Sequence, residues 1–161
     1  MTMKTAQLCD LAGERARVCV GPWRSFGASR NFSGRVCTIK TFEDAALIRT
    51  RLCTPGQGRV LVVDAGGSLR VAVLGDQMAR IGAQSGWSGI LAHGAVRDVD
   101  ELAHIELGVC ALGSVPARGS KSGVGACDVA LSIRGVQVKP GDFMAIDADG
   151  VVFTDEPPTA A

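Results

Sequence analysis

Residues Arg59 to Gly67 read RVLVVDAGG, an unbroken aliphatic run, Val60 to Val63, closed by an acid and two glycines. A strand with one wet face alternates apolar and polar residues, because successive side chains point to opposite sides. A continuous aliphatic run has no wet face, so the segment predicts a strand covered on both sides, as in a parallel sheet flanked by other layers. The Asp-Ala-Gly-Gly that follows predicts that its carboxyl end opens into a tight loop.

The flanking sequence supplies the covering elements. Upstream, SGRVCTIKTF (Ser33–Phe42) alternates as a strand. FEDAALIRTRL (Phe42–Leu52) has an acidic first turn, basic later residues and helical apolar spacing, and TAQLCDLAGERA (Thr5–Ala16) reads as a short helix. Downstream, GDQMARIGAQSGW (Gly75–Trp87) predicts a helix that starts at Gly75 or Asp76, turns Met78, Ala79 and Ile81 inward and ends before Gly86. SGILAHGA, DVDELAHI and GVCALGSVPA then read as strand, short helix and strand. Strands alternating with helices imply right-handed crossovers and at least a partly parallel sheet. From Val129 to Thr154 the pattern changes to strands broken by RG, KPGD and DADG, which predicts a β-rich C-terminal half. The final DEPPTAA, residues 155–161, reads as an unstructured end.

The chain has 161 residues, 47% hydrophobic and 20% charged, enough for one compact core, so residues 1–161 are expected to form a single domain. Its net charge is +1 and its 17 Lys and Arg are scattered along the sequence, which argues against nucleic acid or an anionic membrane as a direct partner. None of the six cysteines, Cys9, Cys19, Cys37, Cys53, Cys110 and Cys127, forms a CxxC pair or a zinc-ligand spacing; they read as buried thiols in a reducing cytosol. No leader-like N-terminus and no run long enough to cross a bilayer is present, so a soluble cytoplasmic protein is expected.

In open α/β sheets ligands bind beyond the carboxyl ends of the strands, where helix N-termini direct free N–H groups into the crevice. Three features are expected there: Asp64 with Gly66 and Gly67, the helix start GDQM, and the loop HGAVRD. Each also has an ordinary structural explanation. Asp76 reads as a helix cap, and Asp98 as the cap of DVDELAHI in a capping box with Glu101. Arg97 beside Asp98 resembles a solvated surface pair. Together they form a set suited to a small keto acid. The amides of Gly75, Asp76, Gln77 and Met78 face a carboxylate, Arg97 presents a fork of donors to a keto oxygen, and Asp98 anchors a divalent cation. A single carboxylate suits Mg²⁺, which keeps its waters, better than Zn²⁺. Asp100 and Glu101 are candidates for orienting metal-bound water. His93, following an apolar strand, reads first as a hydrogen-bonded core residue. A Schiff-base mechanism would require one of Lys4, Lys40, Lys121 and Lys139; Lys121 faces the crevice or is a solvated loop charge.

The segments NFSGRVCTIKTFEDAALI, GRVLVVDAGGSLRVAVLGDQMA, GWSGILAHGAVRDVDEL, LGVCALGSVPARGSKSGVGACDV and GVQVKPGDFMAIDADGVV span nearly the whole chain. They resemble the family that contains the class II 4-hydroxy-4-methyl-2-oxoglutarate aldolases and the regulator of ribonuclease activity A. The resemblance implies a swivelling β/β/α fold with a partly parallel central sheet, assembled as a homotrimer or a dimer of trimers with the site between subunits. It implies substrate binding by Gly75, Asp76, Gln77 and Met78, contact of Arg97 with the keto oxygen, and a metal, Mg²⁺ or Mn²⁺, on Asp98. Arg97, Asp98 and Glu101 match the family's R-D-x-x-E/D signature. Catalytic roles then fall to Arg97, Asp98 and Asp76, in cleavage of 4-hydroxy-4-methyl-2-oxoglutarate to two pyruvates and in oxaloacetate decarboxylation. Members that inhibit ribonuclease E can lack the metal-binding aspartate, which this chain retains; binding to ribonuclease E is the alternative function. Longer aldolases of the family carry a C-terminal extension that supplies an acid to a neighbouring subunit, whereas this chain stops after VVFTDEPPTAA.

Overall fold

A computed structural model describes residues 3–159. In chain order the elements are α1 (Thr5–Ala12), β1 (Arg17–Cys19), β2 (Arg24–Ser25), β3 (Phe32–Lys40), α2 (Ala46–Leu52), β4 (Val60–Asp64), β5 (Ala72–Leu74), α3 (Asp76–Gln84), β6 (Gly89–Val96), α4 (Val99–Leu102), β7 (Gly108–Ser114), β8 (Ala126–Cys127), β9 (Leu131–Ile133), β10 (Val136–Val138), β11 (Phe143–Asp147) and β12 (Gly150–Thr154). The main sheet runs β1-β12-β11-β3-β4-β6-β7-β2, with β5 added to β6 and β8 to β3. It is parallel from β3 through β4 and β6 to β7 and where β5 joins β6, and antiparallel elsewhere.

The aliphatic run forms β4 at the centre of the parallel part, and its two faces enter different cores. Leu61 and Val63 pack with Ile48 and Leu52 of α2 and Ala79 of α3, whereas Val60 and Val62 pack with Leu131, Ile133 and Val138 of the β9–β10 hairpin and Met144 of β11. All four side chains of the run have 0% exposure. Fully burying an aliphatic side chain contributes roughly 1.5–3 kcal/mol, so this strand is a main source of the driving force for folding.

The strand β3 joins the two kinds of sheet. Its first half, Phe32 to Arg35, pairs antiparallel with β11, and its second half, Val36 to Lys40, pairs parallel with β4. The second half is therefore buried on both faces from Val36 to Ile39, which replaces the alternation expected from sequence. All three predicted C-terminal breaks are turns. Arg134 and Gly135 both have positive φ, the backbone of a tight two-residue hairpin joining β9 to β10.

Several boundaries differ from the sequence reading. Helix α2 begins at Ala46, not Phe42: Glu43 lies in the left-handed region at φ 52°, and Asp44 accepts the Ala46 amide from outside the helix. Four short strands, β1, β2, β5 and β8, were not expected. The tail is partly pinned, since Asp155 pairs with Arg17 and Glu156 with Arg35; residues 160 and 161 of that expected free end lie outside the described residues. All six cysteines are free, but only Cys19, Cys37 and Cys110 are buried and Cys53 is exposed. Burial pushes the Cys19 thiol up to about 11 and Cys110 up to about 12, so both remain protonated and unreactive near neutral pH. Among the described residues no helix is long and apolar enough to cross a membrane.

Candidate active site

Strand β4 ends at Asp64 beside the middle of β6, where the two are in register at Asp64 and His93. The chain leaves the sheet through Ala65 to Val71 and re-enters as β5, which pairs with the far end of β6. Two parallel neighbours therefore end together, β5 at Leu74 and β6 at Val96, and the Arg97 amide donates to the Leu74 carbonyl at 3.0 Å. Each strand leads directly into a helix, so GDQM and RD emerge side by side at the carboxyl ends.

The residue that links them is Asp98. Its backbone adopts φ 61°, ψ 45°, a left-handed conformation that Asp tolerates better than most residues, but seldom without cause. The cap expected from sequence is absent: Asp98 makes no side-chain cap bond to α4. Its Oδ2 instead accepts the Asp76 amide, the first of α3, at 3.1 Å. A carboxylate on those unpaired N–H groups is favoured by the helix dipole. Gly75 makes the approach possible, because a Cβ there would lie 2.7 Å from Asp98 Oδ2.

Arg97 Nε lies 3.9 Å from Asp98 Oδ2, and its Nη1 donates to the Pro116 carbonyl at 3.3 Å. Both interactions are long, which leaves most of the guanidinium's donors for a ligand. Asp76 pairs with Arg80 one turn along α3, and that guanidinium holds the Asp76 carboxyl below the usual carboxylate range. Asp76 is therefore ionised throughout the neutral range.

Gly75, Asp76, Gln77, Met78, Arg97 and Asp98 all line one cavity of about 430 Å³, within the roughly 300–1,000 Å³ typical of small-molecule sites. The same cavity is lined by Arg49 of α2 and by Arg118 and Lys121 of the loop after β7. Arg49 and Arg118 were not anticipated, and Lys121, read as crevice-facing or solvated, is a wall residue that remains exposed. The sequence signal was the run ARGSKSG directly after a parallel strand, small residues interleaved with cations where such sheets bind ligands. The charges are scattered in sequence but four of them meet here.

Other expected members lie elsewhere. Asp64 is not part of this wall; its Oδ1 accepts the Gly66 amide at 2.9 Å and sits 3.4 Å from His93 Nδ1. His93 is a half-buried structural residue whose ring meets Trp23 edge-on. Asp100 and Glu101 are exposed on α4 and do not line the cavity.

Among the described residues no three His, Cys, Asp or Glu side chains group tightly enough to cage a metal. Asp98 Oδ1, which has no hydrogen-bond partner among the described residues, provides the single carboxylate oxygen that a hydrated Mg²⁺ or Mn²⁺ accepts, so the residues present fit such an ion.

Residues 5–153 match the model of the Aldolase/RraA family, described as RraA-like. The chain belongs to the RraA-like family. A relative from Aromatoleum aromaticum, provisionally named a 4-hydroxy-4-methyl-2-oxoglutarate aldolase, is 45% identical over 96% of this chain and 98% of its own. The structure of the RNA-processing inhibitor RraA from Thermus thermophilis superposes with a TM-score of 0.95 at 43% identity, covering 100% of this chain and 98% of that one. A Geobacillus kaustophilus structure described as an S-adenosylmethionine: 2-dimethylmenaquinone methyltransferase gives 0.94 at 44% identity, with 96% of both chains covered. The RraA-like fold thus carries three differently named activities, and the chemistry of the cavity has to choose among them.

Proposed function

We propose that this RraA-like protein is a divalent-metal-dependent class II aldolase that cleaves 4-hydroxy-4-methyl-2-oxoglutarate into two pyruvates and decarboxylates oxaloacetate at the same site. The observation that carries the reading is the Arg97–Asp98 pair: adjacent residues at the end of β6, both lining the cavity, one with an unengaged carboxylate oxygen and the other with unengaged guanidinium donors. The provisional aldolase name of the Aromatoleum relative supports it.

Asp98 would hold Mg²⁺ or Mn²⁺ through Oδ1, and the ion, when bound, supplies Lewis-acid stabilisation of negative charge on a keto oxygen. Arg97 directs N–H donors at the C2 oxygen, where charge builds as the C3–C4 bond breaks; a donor that strengthens only as charge develops accelerates the step. The α3 amides beyond the one held by Asp98, those of Gln77 and Met78, receive the adjacent C1 carboxylate. Asp76, an ionised carboxylate paired with Arg80, holds a water and takes the C4 hydroxyl proton through it. A proton then returns to C3 of the three-carbon fragment. In oxaloacetate the C3–C4 bond breaks with loss of CO₂, and the same charge appears on the same oxygen. The working form is a cytoplasmic trimer or pair of trimers.

The Thermus likeness favours a second reading, a ring that binds and inhibits ribonuclease E without chemistry. One assay separates them. Purified protein with Mg²⁺ or Mn²⁺ is expected to release pyruvate from 4-hydroxy-4-methyl-2-oxoglutarate and to stop when EDTA is added. No release with either metal, together with tight binding to ribonuclease E, would establish the second reading instead.

A further inference from the structure

We infer that Arg80 is a positioning residue that keeps the Asp76 carboxylate from becoming a second ligand to a divalent cation on Asp98, so that Asp76 stays free to hold water. The inference deepens the aldolase reading and rests on it for the cation at Asp98 and the water at Asp76.

The two acids of the cavity are neighbours. The Asp76 amide donates to Asp98 Oδ2 at 3.1 Å, both residues line the cavity, and the Asp98 carboxyl is among the groups that act directly on the Asp76 carboxyl. Carboxylates this close repel unless a cation lies between them. A hard divalent cation, in turn, binds more tightly as the number of carboxylate ligands rises. An ion on Asp98 Oδ1 would therefore draw Asp76 toward it.

The chain gives Asp76 a different partner. Arg80 Nη1 donates to Asp76 Oδ2 at 2.5 Å, one turn along α3, with the acid on the amino-terminal side, the favourable order for such a pair. Arg97 Nε stands 3.9 Å from Asp98 Oδ2, so each acid has its own guanidinium. The two pairs differ in strength: the long contact leaves Asp98 available to a cation, and the short one keeps Asp76 occupied. Fold stability does not account for Arg80, because its side chain is half exposed and an exposed ion pair of this spacing adds little. Ligand contact does not account for it either, since Arg80 is not a lining residue of the cavity. Among the described residues its one hydrogen-bonding and charged side-chain partner is Asp76. With Arg80 removed, Asp76 turns to the cation. The ion is then held more firmly but has one position fewer for the keto acid, and Asp76 no longer holds the water that takes the C4 hydroxyl proton.

Mn²⁺ titrations of the full chain, followed by electron paramagnetic resonance without substrate, test the inference. Arg80→Gln is expected to bind Mn²⁺ about fivefold more tightly than the wild type, while its kcat for pyruvate release from 4-hydroxy-4-methyl-2-oxoglutarate falls about tenfold. Arg80→Lys, which restores a cation at that turn, should bring both values back toward the wild type. Adding Asp76→Asn to Arg80→Gln should abolish the gain in affinity. A merely structural Arg80 would instead lower metal affinity, activity and the unfolding midpoint together. Unchanged or weaker Mn²⁺ binding by Arg80→Gln, a gain that survives Asp76→Asn, or no Mn²⁺ binding by the wild type overturns the inference. Failure of the aldolase reading appears separately, as tighter Mn²⁺ binding by Arg80→Gln with no pyruvate release by the wild type.

Discussion

At Asp98 the chain adopts a conformation uncommon outside glycine and points one carboxylate oxygen at a helix amide, while the residue lines the cavity. An ordinary helix cap requires neither feature. Gly75 is the complementary residue, extended at φ −131°, which alanine also adopts, but with no room for a methyl beside Asp98. Gly75→Ala is therefore expected to leave the fold intact and displace the carboxylate, weakening Mn²⁺ binding by about tenfold, an energy of about 1.4 kcal/mol, as read by electron paramagnetic resonance. Unchanged Mn²⁺ affinity would show that the close approach is incidental. Arg97→Lys keeps the charge but removes the planar fork, so kcat/KM for the aldol substrate should fall at least tenfold with unfolding midpoints unchanged. The RD dipeptide was legible as a candidate, but its geometry was not: no local pattern signals that Asp98 turns back to α3 instead of capping α4, because the amide it meets is 22 residues earlier in the chain.

Among the elements, the long ones were readable and the short ones were not. Strands β4, β6 and β7 and helix α3 follow from apolar runs and helical spacing, since burial on both faces leaves a strong compositional trace. Strand β5 has only three residues, Ala72–Leu74, too few for any period, yet it brings GDQM beside RD. The start of α2 was misread because Glu43 and Asp44 have the composition of an acidic first turn. Their side chains serve long-range contacts instead: Glu43 accepts from Ser68 and Arg70, and Asp44 from Ser120, Ser122 and Gly123. Burial alone would raise the Asp44 carboxyl, but the bonds from Ser120, Ala46 and Ser122 outweigh it and hold it well below the usual carboxylate range. A group whose folded value is depressed adds stability above its unfolded value, near pH 4, and that stability is lost as pH falls toward the folded value. Asp44→Asn should thus destabilise the protein by about 3 kcal/mol at neutral pH, by removing a buried charge that satisfies several donors. Urea titrations at matched protein concentration should show the gap between variant and wild type closing below pH 4; a gap independent of pH would contradict this assignment.

Across the whole molecule, the fold class was the most legible property and the charge distribution the least. A covered parallel core with a β-rich second half is written into composition and period, whereas Arg49, Arg118 and Lys121 come from separate segments and meet only in three dimensions. The proposed trimer or pair of trimers would complete the cavity beside these exposed side chains with a neighbouring copy. Light scattering is expected to give a mass three or six times the 16.6 kDa of the chain, and a monomer at micromolar concentration would contradict that assembly. The central claim, that Arg97 and Asp98 cleave a keto acid with a divalent cation, meets its most direct test in Asp98→Asn. Asparagine also tolerates the left-handed backbone and can still accept the Asp76 amide, so the variant should fold as the wild type does. Pyruvate release from 4-hydroxy-4-methyl-2-oxoglutarate, measured for both proteins in saturating Mg²⁺, should be robust in the wild type and reduced at least a hundredfold in the variant. Equal rates in the two, or no release by the wild type, would contradict the account.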